Sequence, residues 1–434
     1  MNLAESESIR ALLGESDTVV INSCAVTNEA VKQTRQAIRR ARRERPGAQL
    51  VVTGCAAQID PASFAAMPEV DRVIGNADKL APHAWAGAEP VVVRDVMGLA
   101  ETAPHLAAAF STHARAFVEV QNGCDHRCTF CAIPFGRGNS RSVPAGGVIE
   151  RIALLAESHA EVVLTGVDLT SYGHDLPGAP TLGSLVERIL RHVPRLARLR
   201  LSSLDGIEID DRLFALLTQE PRVMPHVHLS LQAGDDLILK RMKRRHSRAQ
   251  SVALVARLKA ARSDIAIGAD LIAGFPTEDE AMFANSMALI DDCDIVHAHI
   301  FPYSPRSGTP AARMPQLAPA LVRTRAATLR AKAAERRAAW LEGLVGSEQK
   351  ILVERPGDRG HASNFAEVRL EPQEVGSIVH VQVSGVLEGR LCATPVPLRH
   401  PRVSGDPEQD NTPLGALAPR FRGDDGSGLR GAGA

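Results

Sequence analysis

The chain of 434 residues is 44% apolar and balances 50 Lys and Arg against 50 Asp and Glu, for a formal net charge of zero. Such a length provides for two or three domains with real cores and excludes a disordered scaffold, while neutrality requires any nucleic acid to be gripped by local basic patches. The 7 cysteines are unevenly spaced, the first residues do not read as a signal peptide, and no apolar run reaches membrane-spanning length. The expectation is a cytoplasmic protein with reduced thiols and no membrane partner.

Residues 18–22, 50–53 and 72–75 are short apolar runs separated by helical stretches, the rhythm of a parallel α/β unit. Cys24 and Cys55 each follow one of these predicted strands, at the sheet edge where such folds bind ligands. They read equally well as small buried loop residues. Residues 82–111, rich in Ala, Pro and Gly, are expected to form a surface linker.

From residue 114 onward, strands are predicted at 116–120, 161–165, 198–202, 226–230, 265–268 and 297–301, with helices between them. About six βα units describe a partial parallel barrel with its site at the carboxyl ends of the strands. After the first of these strands stands Gln121-Asn-Gly-Cys-Asp-His-Arg-Cys-Thr-Phe-Cys131, which spaces Cys124, Cys128 and Cys131 as C-x3-C-x2-C. Three thiolates hold three irons of a [4Fe-4S] cluster and leave the fourth open to a non-protein ligand. A zinc knuckle wants a fourth Cys or His, and His126 between the cysteines is badly positioned to close a tetrahedron, so the spacing favours iron–sulfur over zinc. An open iron suits S-adenosylmethionine, whose reductive cleavage yields a 5'-deoxyadenosyl radical. Thr165, Gly166 and Asp168 after the second barrel strand, and Gly274 to Glu278 after a later one, form turns that either approach this cofactor or serve packing.

An Ala- and Arg-rich helix is predicted over 321–344. Beyond it, short alternating strands at 351–354, 366–370 and 378–383 describe a small β-barrel, and 401–434 is expected to be disordered. The predicted domains are 1–110, 111–344, 345–400 and the tail 401–434. Basic runs at Lys32 to Arg45 and Lys240 to Arg248 either contact RNA phosphates or are solvated helix faces. Cys293 and Cys392 read as core residues.

The cysteine motif, together with Pro134-Phe-Gly-Arg-Gly-Asn-Ser-Arg-Ser142, resembles the radical-SAM methylthiotransferases. So do Asn22-Ser-Cys-Ala-Val-Thr27, Val52-Thr-Gly-Cys-Ala-Ala-Gln58, Leu229-Ser-Leu-Gln-Ala-Gly234 and Gly274-Phe-Pro-Thr-Glu278. The likeness runs in order to about residue 395 and ends in a segment that looks like a TRAM domain. It implies a Rossmann-like parallel α/β domain, a radical-SAM partial (β/α)6 barrel and a small β-barrel. It also implies two [4Fe-4S] clusters. Cys124, Cys128 and Cys131 would hold the one that cleaves S-adenosylmethionine, while Cys24 and Cys55 would help hold an auxiliary cluster that carries sulfur. Thr165, Gly166, Asp168, Gln232, Gly274 and Glu278 are the expected cofactor-binding residues.

The Cys-Ala-Val-Thr and Gly-Arg-Gly-Asn-Ser-Arg-Ser wording is most similar to the branch that methylthiolates N6-threonylcarbamoyladenosine beside the anticodon of tRNA. The isopentenyladenosine and ribosomal-protein branches, and an RNA-binding protein with a vestigial cluster, are the competing readings. The resemblance further implies an anticodon stem-loop partner, an electron donor such as flavodoxin or ferredoxin, and a monomer. The family's auxiliary site uses three cysteines, the first in a Gly-Cys-x-x-Asn stretch ahead of a Glu-rich helix. Asn2, Glu5 and Glu7 match the end of that stretch. The expectation is that Met1 is an internal methionine, with the missing cysteine and first strand upstream; a protein that truly starts there is expected to hold its auxiliary cluster poorly.

Overall fold

The computed structural model describes residues 2–99 and 113–396, so the last part of the expected linker, 100–111, and the tail 401–434 lie outside the described residues. The chain opens with the helix Asn2–Leu13 and then builds a parallel sheet of β1 (Thr18–Ser23), β2 (Gln49–Gly54), β3 (Arg72–Ile74) and β4 (Val91–Val92), side by side in that order. Between β1 and β2 runs the basic helix Asn28–Glu44, whose N-cap Thr27 accepts a hydrogen bond from the Ala30 amide at 3.1 Å. The expected linker is more ordered than its composition suggests. It holds the helix Pro82–Ala86, and the β-branched pair Val91 and Val92 adds β4 to the sheet edge.

Two further sheets form the middle of the molecule. One has the order β6 (Arg141–Ser142), β5 (Arg115–Asn122), β7 (Glu161–Gly166) and β8 (Arg198–Leu201); the other runs from β9 (Ser203–Leu204) through β10 (His226–Gln232) and β11 (Ala266–Ala273) to β12 (Ile295–Pro302). Only Ser202 separates β8 from β9, so the two sheets continue one another as a six-step parallel wall, with β6 antiparallel on its first strand. This is the expected open barrel.

Its strands alternate apolar and polar residues. Val118, Val120, Val162, Leu164, Val227 and Leu229 belong to one core with the helices, whereas Arg115, Glu161, Arg200, His226, His228 and His297 point the other way. The helix Pro319–Glu342 covers β12 and contributes Ala326, Leu329 and Ala333 to that core.

The last five strands, β13 (Glu348–Glu354), β14 (Arg359–Ala362), β15 (Glu367–Arg369), β16 (Ile378–Leu387) and β17 (Arg390–Pro395), close into a barrel. It seats against the amino ends of the parallel strands: Arg198 donates to the Lys350 carbonyl at 2.9 Å, Arg200 to the Ser363 carbonyl at 3.2 Å, and Arg115 pairs with Glu354. Cys293 is buried behind the helix Glu280–Asp292, and Cys392 lies in β17.

Candidate iron–sulfur and cofactor site

The cysteine loop leaves the carboxyl end of β5 at Gly123, whose φ is +72° and where a Cβ would lie 1.8 Å from the Asn139 carbonyl oxygen. Only glycine fits that turn. The Cys124 amide then donates to the Gly138 carbonyl at 3.1 Å, and Thr129 reaches across to the Met242 and Arg241 carbonyls at 3.1 and 2.8 Å. The loop is thus fastened to both sides of the barrel mouth.

All three thiols are free and partly buried. Burial raises the Cys131 thiol to about 11 and Cys124 further still, and the neighbouring thiols add to both effects. The three thiols feel one another's charge, and a metal is what such a set needs to become thiolates. Arg244 supplies a cation 3.6 Å from the Cys128 sulfur while also binding Asp205 at 3.0 Å and the Ser230 carbonyl at 2.9 Å. The donor set fits a cluster held by three cysteines.

A polar rim stands beside the thiols. Asp168, just past β7, lies 3.6 Å from the Cys124 sulfur, 3.0 Å from His126 Nε2 and 2.8 Å from the Ser171 hydroxyl. Burial works against the Asp168 carboxylate, but hydrogen bonds from His126 and Ser171 outweigh it and hold the pKa below the ordinary range. The same hydrogen bond raises His126. Arg245 lies 2.9 Å from His126 and 2.7 Å from Glu208. Asp205 Oδ1 and Arg244 Nε are buried here without a hydrogen-bond partner, so this end of the barrel fits a polar ligand such as S-adenosylmethionine.

Ser23 and Gly54 are register partners at the ends of β1 and β2, so Cys24 and Cys55 leave adjacent strands together. Cys55 faces the barrel. A Cβ on Gly136, in the short helix Ile133–Arg137 after the cysteine loop, would lie 3.1 Å from Cys55 Cβ, and Asn76 bridges the two segments through the Gly136 carbonyl at 2.5 Å and the Cys55 sulfur at 3.5 Å. From Asn76 the network continues through Lys79 (2.8 Å) to Glu5 (2.7 Å) and on to Arg137 (2.7 Å). A second clasp joins Asn28 to the loop after β12, where Arg306 holds the Ala25 carbonyl and the Asn28 side chain. The two cysteine groups therefore sit on facing, fastened surfaces.

The remaining predicted residues divide. Gly166 packs closely on Gln121, whose Oε1 also accepts from the Asp168 amide at 2.8 Å, so both belong to the rim. Thr165 spends its hydroxyl on the Val118 carbonyl inside the sheet. Gln232 ends β10 with φ +67°. Gly274 packs on Val322, and its amide donates to Glu278, whose carboxylate is taken by Arg325 at 2.9 Å.

Of the second basic run, Arg244 and Arg245 turn inward to the rim, Arg241 donates to the Thr277 carbonyl at 3.3 Å and Arg248 pairs with Asp292, which leaves Lys240 and Lys243 outside. Asp205, Arg244, Arg137 and Lys79 were not singled out as site residues by the sequence. Only the Gly-Arg-Gly wording around Arg137 carried a signal.

A trio of thiols at the carboxyl mouth of an open parallel barrel defines a radical SAM enzyme. Residues 118–290 match the Radical SAM superfamily, and residues 1–75 match "Uncharacterized protein family UPF0004". The chain is 45% identical over 397 residues to the threonylcarbamoyladenosine tRNA methylthiotransferase MtaB of Rickettsia prowazekii, covering 90% of this chain and 94% of that protein. It is 34% identical to the MtaB of Aquifex aeolicus, with 85% and 91% covered. It belongs to the radical-SAM methylthiotransferases, in the MtaB branch. Among solved structures, the radical S-adenosylmethionine methyltransferase TsrM of Kitasatospora setae matches with a TM-score of 0.50 at 16% identity, covering 72% of this chain and 66% of that one, a likeness of fold alone.

Proposed function

We propose that this protein replaces the C2 hydrogen of N6-threonylcarbamoyladenosine beside the tRNA anticodon with a methylthio group. The observation that carries the reading is the approach of Cys55 to Gly136, which sets one of the two N-terminal cysteines against the segment that follows the trio. Cys124, Cys128 and Cys131 hold the cluster that binds S-adenosylmethionine, and Cys24 and Cys55 supply ligands to an auxiliary cluster. When bound, these groups supply the radical that removes hydrogen, the sulfur and the methyl group.

The chain's own residues orient and insulate. Arg244 offsets negative charge on the thiolates, and the Asp168–His126 pair keeps a proton and an acceptor beside Cys124. Thr165, Gly166 and Gln232 shape the cofactor's seat, with Gly274 and Glu278 supporting it from behind. The chain acts as a cytoplasmic monomer, supplied with electrons by a low-potential donor such as flavodoxin or ferredoxin. The test is reconstitution under anaerobic conditions with a low-potential reductant, S-adenosylmethionine and tRNA. The reading expects 5'-deoxyadenosine and a methylthio mass increment on the nucleoside; radical cleavage with no increment on any tRNA from protein whose iron content shows both clusters loaded would refute it, and tRNA binding without cleavage would leave a binding protein.

A further inference from the structure

Between the parallel wall, the helix Pro319–Glu342 and the terminal barrel lies a cavity of about 660 Å³. Barrels of this type usually fill their interior with branched apolar side chains. Here imidazole and guanidinium groups share the lining with apolar residues such as Phe117, Val163 and Ile300. Gly268 of β11 stands in register between His228 and His297, and a Cβ there would come within 2.3 Å of His228 Nδ1, so the missing side chain makes room for the rings. His228 and His299 share one oxygen of Asp270 at 3.0 and 3.1 Å. His226 is only 7% exposed and both its ring nitrogens lack a hydrogen-bond partner. A chamber of this volume, with an unanswered buried imidazole, is built for a polar planar guest.

The lip of the chamber, along the free edge of β12, carries cations of two kinds. Arg115, Arg200 and Arg390 are each committed to a carboxylate, those of Glu354, Glu161 and Glu367. Arg330 and Arg337 are not. They stand two turns apart on the helix Pro319–Glu342 with Ala333 and Ala334 between them on the cavity side. Among the described residues neither forms an ion pair; Arg330 donates to the Ile300 carbonyl at 3.2 Å, and Arg337 lies 2.9 Å from His297 Nδ1. Each guanidinium has further N–H groups to give. Arg337 feels the carboxylate of Glu367, but that group is already paired with Arg390, so two guanidiniums without an ion-pair partner of their own flank small residues at the lip and match an anion.

We propose that Arg330 and Arg337 form an anion subsite at this lip, which binds an oxyanion of the RNA nucleotide whose base enters the chamber. The inference rests on the tRNA reading above. Two sources share the chemistry: the threonyl carboxylate of the modified base and a backbone phosphate beside it. The test uses the full, cluster-reconstituted chain and fluorescence anisotropy with three anticodon stem-loops, carrying N6-threonylcarbamoyladenosine, its threonyl methyl ester, or adenosine. Arg330→Gln and Arg337→Gln are compared with the parent after iron content and melting temperature are matched.

If the carboxylate is held, the parent favours the acid over the ester and adenosine by roughly tenfold or more, and the variants lose that preference while still binding adenosine RNA as the parent does. If a phosphate is held, the variants weaken on all three RNAs alike and their salt dependence flattens. Variants that bind all three as the parent does overturn the subsite and leave the tRNA reading standing. A parent that binds none of them overturns the tRNA reading and the subsite with it.

Discussion

Arg137 grips Glu5 with both arms of its guanidinium, at 2.7 and 3.2 Å, across the boundary between the N-terminal sheet and the radical SAM barrel. Glu5 is wholly inaccessible to solvent, and Lys79 approaches the same carboxylate at 2.7 Å. Burial opposes the charge on Glu5, yet the two cations outweigh it and hold its pKa well below the ordinary carboxylate range. Glu5→Gln would keep the shape and strand two buried cations, at a cost of about 3 kcal/mol. A lowered melting temperature together with a weakened auxiliary iron signal is the expected outcome. Unchanged melting would mean that the pair is dispensable.

The two cysteine groups should separate functionally. Cys124→Ala is expected to abolish 5'-deoxyadenosine formation, whereas Cys24→Ala with Cys55→Ala should leave it largely intact and abolish methylthio transfer. Chromatographic assay of both products on the same samples checks this. Equal loss of both from the second variant would show that Cys24 and Cys55 serve the first cluster or the fold.

Asp168→Asn removes the charge that lies 3.6 Å from the Cys124 sulfur and 3.0 Å from His126. Outer partners of metal ligands typically matter by about 10- to 100-fold. A fall in the rate of S-adenosylmethionine cleavage within that range, with iron content retained, is expected. His126, whose pKa Asp168 raises, should then titrate lower by NMR.

Acid should loosen the barrel from its amino end. Burial, aided by the charge of Arg337, pushes His297 down from 6.5 to about 3. His226 is pushed well below its ordinary value by burial. A base with a depressed folded pKa stays neutral in the native state while the unfolded chain takes up protons. Stability is therefore lost as pH falls below about 6.5 and continues to fall toward about 3. Urea midpoints measured across that window should decline less steeply in His297→Gln than in the parent.

Phe365 of the terminal barrel stacks on His361 at 4.6 Å and receives Arg115 and Arg200 over its ring at 5.1 and 4.8 Å. Phe365→Ala should cost about 2 kcal/mol and make the terminal barrel protease-sensitive. Limited proteolysis that leaves both proteins equally resistant would contradict this.

What was legible in the sequence was what acts over short spacing. The cysteine trio, the strand-end positions of Cys24 and Cys55, and the alternating strands all register within ten or so residues, and the parallel strands emerged where periodicity put them except β4, which lies in the segment expected as linker. Residues paired over long separations stayed hidden. Arg244 read as one charge in a basic run because nothing local reveals that Asp205 and Cys128 surround it. Glu5 entered only through a family likeness, and its partner lies in another sheet's loop. The histidines at 226, 228, 297 and 299 did leave a trace: polar residues at period two within apolar strands mark a face that turns to a hollow and not to a packed core.

The clasp between Asn28 and Arg306 spans 278 residues of chain. A ribosome making this protein finishes the N-terminal sheet long before the loop that pins it has been synthesised. Until then the Cys24 end of that sheet lacks the Arg306 guanidinium that holds the neighbouring Ala25 carbonyl. The order of synthesis thus leaves an interval in which the N-terminal sheet is complete while the loop that clasps it is still unmade.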